Sequence, residues 1–268
     1  MPRFSPRRYL MCRPEFFDVT YTINPWMDPS KAVDADLAVT QWECLRALYE
    51  GLGHTVELIE PIAGLPDMVY AANGATVVDG KVLGAHFRNA ERGPEGPAYL
   101  QWFRDYGFPV TRDAVHINEG EGDFRLTASW LLAGHGFRSS LASHTEAQEL
   151  FGRPVISLQL VDPRYYHLDT ALTVLDGDTI MYYPEAFSPE SLAVLRRIFP
   201  DALIASAEDA AEFGLNMVSD GLNVFVPEAA QGVAEQVRRR GYTVHPVDLS
   251  ELLKGGGSVK CCTLELRP

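Results

Sequence analysis

A chain of 268 residues that is 46% hydrophobic can bury a large core, either as one big domain or as two small ones. Its formal net charge of −13 disfavours nucleic acid and anionic membrane surfaces, because both reward basic faces; an acidic field draws in cations, although its commoner meaning is solubility. No apolar run approaches the ~18 residues of a membrane span, the basic N-terminus lacks the apolar core of a secretory signal, and four cysteines without framework spacing point to reduced thiols and a cytoplasmic location.

The predicted elements repeat along the chain. The first unit opens irregularly with "RYLMCRP", continues with a helix around "DADLAVTQWECLRALYEGLG" and ends in the strand "TVELIEP". "GATVVDGKVLGAHF" then reads as a hairpin closed by Asp79-Gly80, a favoured hairpin turn, followed by helix "EGPAYLQWFRDYG" and strand "PVTR". "FRLTASWLLAGHGF", helix "SHTEAQELFG" and strand "PVISLQLV" form the third unit. In the fourth, "ALTVLDGDTIMYYPEAF" is a hairpin around Asp176-Gly177-Asp178. Ser188 is placed to N-cap the helix "SPESLAVLRRIF", and "DALIAS" returns as a strand. "GLNMVSDGLNVFVPEA", "AQGVAEQVRRRG" and "TVHPVDL" complete the series. A strand–turn–strand–helix–strand unit recurring roughly every 40 to 50 residues signals blades around an axis rather than a doubly wound sheet. No G-x-G-x-x-G follows the first strand, which removes the dinucleotide-binding reading.

In a radial array the loops that converge on the axis build one central site. The junctions carry "INPWM", "PDMVYAANGA", "FRNAER", "NEGEGDF", "GFRSS", "YYHLDTAL" and "KCCTLEL". Each alone has an ordinary explanation: Asn24-Pro25 and Asn73-Gly74 as turns, Glu119, Glu121 and Asp123 as a solvated acidic loop, Arg88, Arg92 and Arg138 as surface charges, His167 as a half-buried histidine. Together they offer what thiol chemistry needs. Cys261 or Cys262 supplies an ionisable sulfur, His167 a proton donor near neutral pH, and the carboxylates a grip on an electrophile. No H-E-x-x-H or C-x-x-C spacing suggests a metal, and no cofactor is expected. A disulfide between neighbouring Cys261 and Cys262 would be strained.

The ordered set "EGEGDF", "HLD" and a Gly-rich terminal "CCTLEL" resembles the guanidino-group-modifying, or pentein, superfamily, which includes dimethylargininases, arginine deiminases, arginine dihydrolases and amidinotransferases. The resemblance covers essentially the whole chain and implies a single catalytic domain over residues 1–268, folded as a five-bladed α/β propeller. By the family's Cys-X-Ser/Thr pattern, Cys261 is the expected nucleophile and Cys262 a packed neighbour, a split that strand alternation would also give. The resemblance further implies His167 as general acid/base, Glu119 as the carboxylate gripping the guanidinium, and Asp169 as a substrate-holding carboxylate. Arg88, Arg92 and Arg138 fall where relatives bind the substrate's α-carboxylate. Many relatives read Glu-Gly-Gly-Asp; here the segment is Glu119-Gly120-Glu121-Gly122-Asp123, so Glu121 stands as a second candidate.

Asn73 occupies the place of an aspartate common in dimethylargininases and arginine deiminases. Asparagine drops the preference for a cationic guanidinium and can hold a neutral ureido group. With Asn24, this leans toward a dihydrolase, which would hydrolyse arginine twice to ornithine; a single hydrolysis of arginine or an N-methylated arginine to citrulline is the neighbouring expectation. Amidino transfer and a non-catalytic propeller that binds a partner are the alternatives. The expected partner is a small guanidino molecule, with homo-oligomerisation left open.

Overall fold

Each predicted unit forms one three-stranded sheet in the computed structural model, which describes residues 2–267. The first contains β1 (Arg8–Cys12), helix α1 (Ala35–Gly51) and β2 (Thr55–Ile59); the second, β3 (Ala75–Val78), β4 (Lys81–Gly84), α2 (Glu95–Tyr106) and β5 (Val110–Arg112). The third contains β6 (Phe124–Leu126), β7 (Leu131–His135), α3 (Leu141–Phe151) and β8 (Val155–Gln159). A one-turn helix α4 (Leu168–Ala171) leads into the fourth, with β9 (Leu172–Asp176), β10 (Thr179–Tyr182), α5 (Pro189–Ile198) and β11 (Leu203–Ile204). The fifth follows α6 (Ala207–Ala211) and has β12 (Val218–Ser219), β13 (Asn223–Pro227), α7 (Gln231–Arg239) and β14 (Thr243–Val247). The chain ends in α8 (Ser250–Leu253) and β15 (Leu264–Glu265).

Four sheets share one plan: a short antiparallel hairpin, then a helical crossover to a strand parallel with the hairpin's second strand. The turn of β3–β4 places both Asp79 (φ 49°) and Gly80 (φ 71°) in left-handed backbone, as the twist of a tight hairpin requires. The irregular opening of the first unit now has its reason. Its missing hairpin strand is β15, from the far end of the chain, which pairs antiparallel with β1 at Tyr9↔Glu265 and Leu10↔Leu264. The circle closes through that pairing, so the C-terminal strand belongs to the first blade.

Ser188 caps its helix as expected, and Asp34 caps α1 in the same way. Ser188 Oγ accepts the Ser191 N–H at 3.2 Å, and Asp34 accepts from the Leu37 N–H at the start of α1. On α1 the buried side chains Ala38, Trp42, Leu45 and Tyr49 recur at helical spacing, and Tyr49 meets Phe225 of β13 edge-on at 4.6 Å between ring centres. Burying each such large apolar group is worth about 1.5–3 kcal/mol. The helices thus cover the outside of the sheets and lock one blade to the next. Among the described residues, no helix is long and apolar enough to cross a membrane.

Candidate active site

The hairpin strands β3, β6 and β9, with β12 and β15, lie innermost; β12 and β6 pack on β9, and β15 packs on β3. The residues just before each of these five strands meet at one end of the axis. Asn73 precedes β3, Glu119–Asp123 precede β6, and His167 and Asp169 precede β9. Asn216 precedes β12, and Cys261 precedes β15. The repeat therefore delivers one polar loop per blade to a common centre.

Cys261 is buried, with its thiol 3.4 Å from Asp169 Oδ2 and 3.2 Å from the Asn216 side-chain nitrogen. Asn216 is fixed in one orientation, because its Oδ1 accepts the backbone N–H groups of Lys260 (3.0 Å) and Cys261 (3.2 Å). Its Nδ2 also donates to the Asp169 carbonyl at 3.2 Å, so one amide ties the thiol to the carboxylate beside it. Sequence motifs do not single out Asn216; only its position before a hairpin, matching that of Asn73 in another blade, hints at it. The two cysteines do not part by strand alternation, since residues 259–262 form a turn and β15 begins at Leu264. The turn is closed by Cys262 N–H to Ser258 O (3.1 Å) and Thr263 N–H to Lys260 O (2.9 Å). It turns Cys261 toward Asp169, while Cys262 stays wholly buried.

His167 Nε2 lies 2.7 Å from Glu119 Oε2, and the same oxygen accepts Arg138 Nη1 at 2.7 Å. Burial raises the Glu119 carboxyl, but the Arg138 guanidinium and the His167 hydrogen bond outweigh it and hold the group well below the usual carboxylate range. An ionised Glu119 requires Nε2 to carry a proton. The other nitrogen, Nδ1, is buried without a partner and is the one free to exchange protons.

The rest of the expected set divides. Glu121 is buried apart from Glu119, in ion pairs with Lys260 and Arg267. Arg92 is buried and paired bidentately with Glu95 (3.0 and 2.7 Å), and it donates to Asn73 Oδ1 at 2.8 Å. Arg138 is likewise occupied by Glu119, by the Ile23 carbonyl (2.9 Å) and by the face of Tyr166, 4.6 Å from the ring centre. Only Arg88 is exposed; its Nε donates to the Arg138 carbonyl at 2.9 Å. Asn24 sits beside the glycine run: its amide donates to Gly255 O (3.1 Å) and accepts from the Trp26 and Met27 N–H groups. Asp123 anchors the loops, accepting from Ser139 and from the Leu168 N–H.

Asp67 is the other site residue that sequence motifs leave unmarked. It is buried, accepts from Tyr21 OH at 2.9 Å and lies 3.7 Å from Arg92 Nε. Its only signal is a Pro-Asp pair in the loop leading to Asn73.

Four buried polar atoms of this cluster have no hydrogen-bond partner: Asp67 Oδ1, Asp169 Oδ1, Asn73 Nδ2 and His167 Nδ1. Leaving such a group unsatisfied costs on the order of 1–3 kcal/mol each, and burial raises both Asp67 and Asp169 above the ordinary carboxylate range despite nearby cations. The two carboxylate oxygens suit a cationic, hydrogen-rich ligand such as a guanidinium. Gly122 shows how close two of the atoms come: a Cβ there would lie 2.5 Å from Asn73 Nδ2 and 3.1 Å from His167 Nδ1. The glycines before Cys261 have the same reason, since side chains at Gly255 and Gly257 would fall 2.2 and 2.3 Å from Tyr70 atoms. Among the described residues, no group of three His, Cys, Asp or Glu side chains is arranged to hold a metal.

Burial, with the Asp169 charge adding to it, pushes the Cys261 thiol well above its ordinary value of 9.0. A raised thiol pKa means that the protonated form persists to higher pH. Alkylation of Cys261 by iodoacetamide should therefore keep rising through pH 9, and a bound guanidinium should shift the curve downward. Peptide mass spectrometry separates Cys261 from exposed Cys44. A plateau reached near neutral pH without ligand would contradict the assignment.

The chain is 54% identical to the N(G),N(G)-dimethylarginine dimethylaminohydrolase of Mycobacterium tuberculosis, over 98% of its own length and 86% of that protein's. It is 37% identical to the bifunctional arginine dihydrolase/ornithine cyclodeaminase ArgZ of Synechocystis, over 97% of this chain and 37% of that longer protein. The chain belongs to the dimethylargininase/arginine dihydrolase branch of the pentein superfamily. The crystal structure of the N-terminal domain of ArgZ, bound to substrate, superposes with a TM-score of 0.93 at 34% identity, covering 97% of this chain and 98% of that one. A dimethylarginine dimethylaminohydrolase adduct matches with a TM-score of 0.79 at 17% identity, over 98% of this chain, and shows the shared pentein fold alone. No protein-family profile matches the chain. As a pentein of this branch, the chain is a hydrolase of C–N bonds in linear amidines, and the non-catalytic reading is not favoured.

Proposed function

We propose that this pentein hydrolyses arginine twice, through a covalent adduct on Cys261, and releases ornithine. The observation that carries this choice is the orientation of Asn73. Arg92 has only donors to offer, so the Asn73 oxygen must face it at 2.8 Å, and the Asn73 NH₂ is left pointing away without a partner. A donor held there complements the carbonyl oxygen of a ureido group, the product of a first hydrolysis and the substrate of a second.

In the first cycle the guanidinium sits against Asp67 and Asp169, whose free oxygens accept its N–H groups. Its charge favours ionisation of Cys261, the thiol proton passes to His167 Nδ1, and the sulfur attacks the guanidinium carbon. As the S–C bond forms and the C–N bond breaks, ammonia leaves with a proton delivered from His167 Nδ1. Water, deprotonated by the same nitrogen, then attacks the adduct carbon and frees the thiol and a ureido product. A second cycle on that product breaks the bond to the side-chain nitrogen, so that arginine and two waters give ornithine, carbon dioxide and two ammonia molecules. In this reading the exposed Arg88 meets the substrate's α-carboxylate, because Arg92 and Arg138 are occupied by Glu95, Asn73 and Glu119. Glu119, rather than Glu121, serves the reacting centre, through His167. We further assign one catalytic domain and a cytoplasmic setting.

A second reading is one hydrolysis of an N-methylated arginine to citrulline and an alkylamine, favoured by the 54% identity to the mycobacterial protein. Incubation with arginine and, separately, with dimethylarginine, followed by mass spectrometry of products over time, decides between the two. Ornithine from arginine without accumulating citrulline supports the double hydrolysis. Turnover of dimethylarginine with arginine untouched refutes it.

His167→Ala is expected to fold normally and to lose about 10²–10⁴-fold in kcat, the usual worth of positioned proton transfer. Circular dichroism and steady-state rates check both halves. An alanine variant with wild-type turnover would take His167 out of the mechanism.

A further inference from the structure

The inner strands have a second end, and it carries a different chemistry. A cavity of about 280 Å³ lies there, beyond the ends of β6, β9, β12 and β15, opposite the loops that hold Cys261. Four cations line it: Arg7, Arg125, Lys260 and Arg267. Glu265 pairs with Arg7 at 3.3 Å and with Arg267 at 2.8 Å, and Glu121 pairs with Lys260 and Arg267. Glu121 lies outside the lining; the second carboxylate in it, besides Glu265, is Asp176, which accepts from Tyr242 OH at 2.8 Å.

Arg125 is the residue these pairings leave out. It is only 7% exposed, its Nε has no hydrogen-bond partner, and its guanidinium makes no direct ion pair among the described residues, although the Asp169 and Glu121 carboxylates act on it from farther away. An unpaired buried cation is strongly unfavourable, and this one persists in a chain whose net charge is −13, with 36 carboxylate side chains available elsewhere. Two more cavity-lining donors lack partners: Arg7 Nε and the Tyr9 hydroxyl. Three unsatisfied donors on residues that line one small cavity, with four cations against Glu265 and Asp176 in the lining and Glu121 behind it, describe a site that suits an anion.

We infer that this cavity binds a small oxyanion, of the carboxylate, bicarbonate or phosphate kind, with Arg125 as its principal partner and Arg7 and Tyr9 completing the shell. Planar oxygen pairs match the fork of a guanidinium, and the paired Lys260 and Arg267 add positive potential without being needed as direct ligands. Lys260 lines this cavity while its chain neighbour Cys261 faces Asp169, so the ion would lie on the other side of one turn from the nucleophile. Asp169, which faces the Cys261 thiol, is also the strongest carboxylate influence on Arg125, so the cavity backs onto the reacting centre from the other end of the inner strands.

Isothermal titration calorimetry of the full chain with sodium phosphate, sodium bicarbonate and sodium succinate, each at ionic strength matched with sodium chloride, tests the inference and separates the three sources. At least one should bind saturably at a one-to-one ratio. Arg125→Gln should weaken that binding about tenfold or more, and without the anion it should unfold at the same or a higher temperature than wild type, because it removes an unpaired buried charge. Arg7→Gln, at the partly exposed rim, should weaken binding less, and its affinity decides the question if Arg125→Gln fails to fold. Equal affinity in wild type and the folded variants, or no saturable binding of any of the three ions, overturns the site.

Discussion

Cys261→Ser is expected to lose turnover by on the order of 10⁴-fold or more, as removal of a nucleophile does in other covalent hydrolases, while Cys262→Ser keeps it within a few fold. The two residues are neighbours in one turn, but their surroundings differ. Cys261 touches Asp169 and Asn216, the groups that would position a reacting sulfur. Cys262 belongs to the same apolar cluster, with Met11, Leu252 and Val259, but its sulfur has no side-chain hydrogen bond among the described residues, and burial, with Cys12 nearby, raises its thiol far above the ordinary value. A serine hydroxyl at its usual pKa cannot replace a thiolate. At Cys262 the same change places a hydroxyl in apolar surroundings, so the cost should appear in stability, about 1–3 kcal/mol, and not in rate. Steady-state kinetics and thermal unfolding on both variants provide the measurement. Equal and complete loss of turnover in two folded variants would sink the assignment of roles.

Asn73→Asp should turn the double hydrolysis into a single one. The Arg92 contact at 2.8 Å survives the substitution, since aspartate presents an oxygen in the same place. What changes is the atom facing the substrate, from a donor NH₂ to an anionic acceptor. A guanidinium gains from that exchange, whereas the ureido oxygen meets negative charge in a site where water screens little. Ornithine formation should fall by about 10²-fold or more, the scale seen when a polar site faces a mismatched group, with citrulline accumulating from arginine. Both products are followed over time in wild type and variant. If the variant still makes ornithine at the wild-type rate, the Asn73 donor does not hold the ureido group, and the choice between the two hydrolyses rests on some other residue. Arg92 is itself held toward Asn73 by its two bonds to the buried Glu95.

The five units and the family are legible in the residues alone. Hairpins such as Asp79-Gly80 and caps such as Ser188 are local signals, written in residues within a few positions of one another, and the structure keeps them. The order of "EGEGDF", "HLD" and "CCTLEL" was enough to point to the pentein family, because each blade contributes one short segment to the axis. Three further features arise only from tertiary structure, through contacts between distant parts of the chain. It closed the ring with β15 against β1, pairing Tyr9 with Glu265 across almost the whole chain, which no local pattern encodes. It separated Glu119 from Glu121: two residues apart in one loop, they face different partners because Arg138 and His167 approach from one side and Lys260 and Arg267 from the other. It also brought Asn216 and Asp67 to the thiol and to Arg92, roles that depend on what lies across the axis and not on the neighbours in the chain. Local sequence sets backbone conformation and hydrophobic pattern, whereas which buried donor finds which acceptor is fixed only when the blades close and water is excluded.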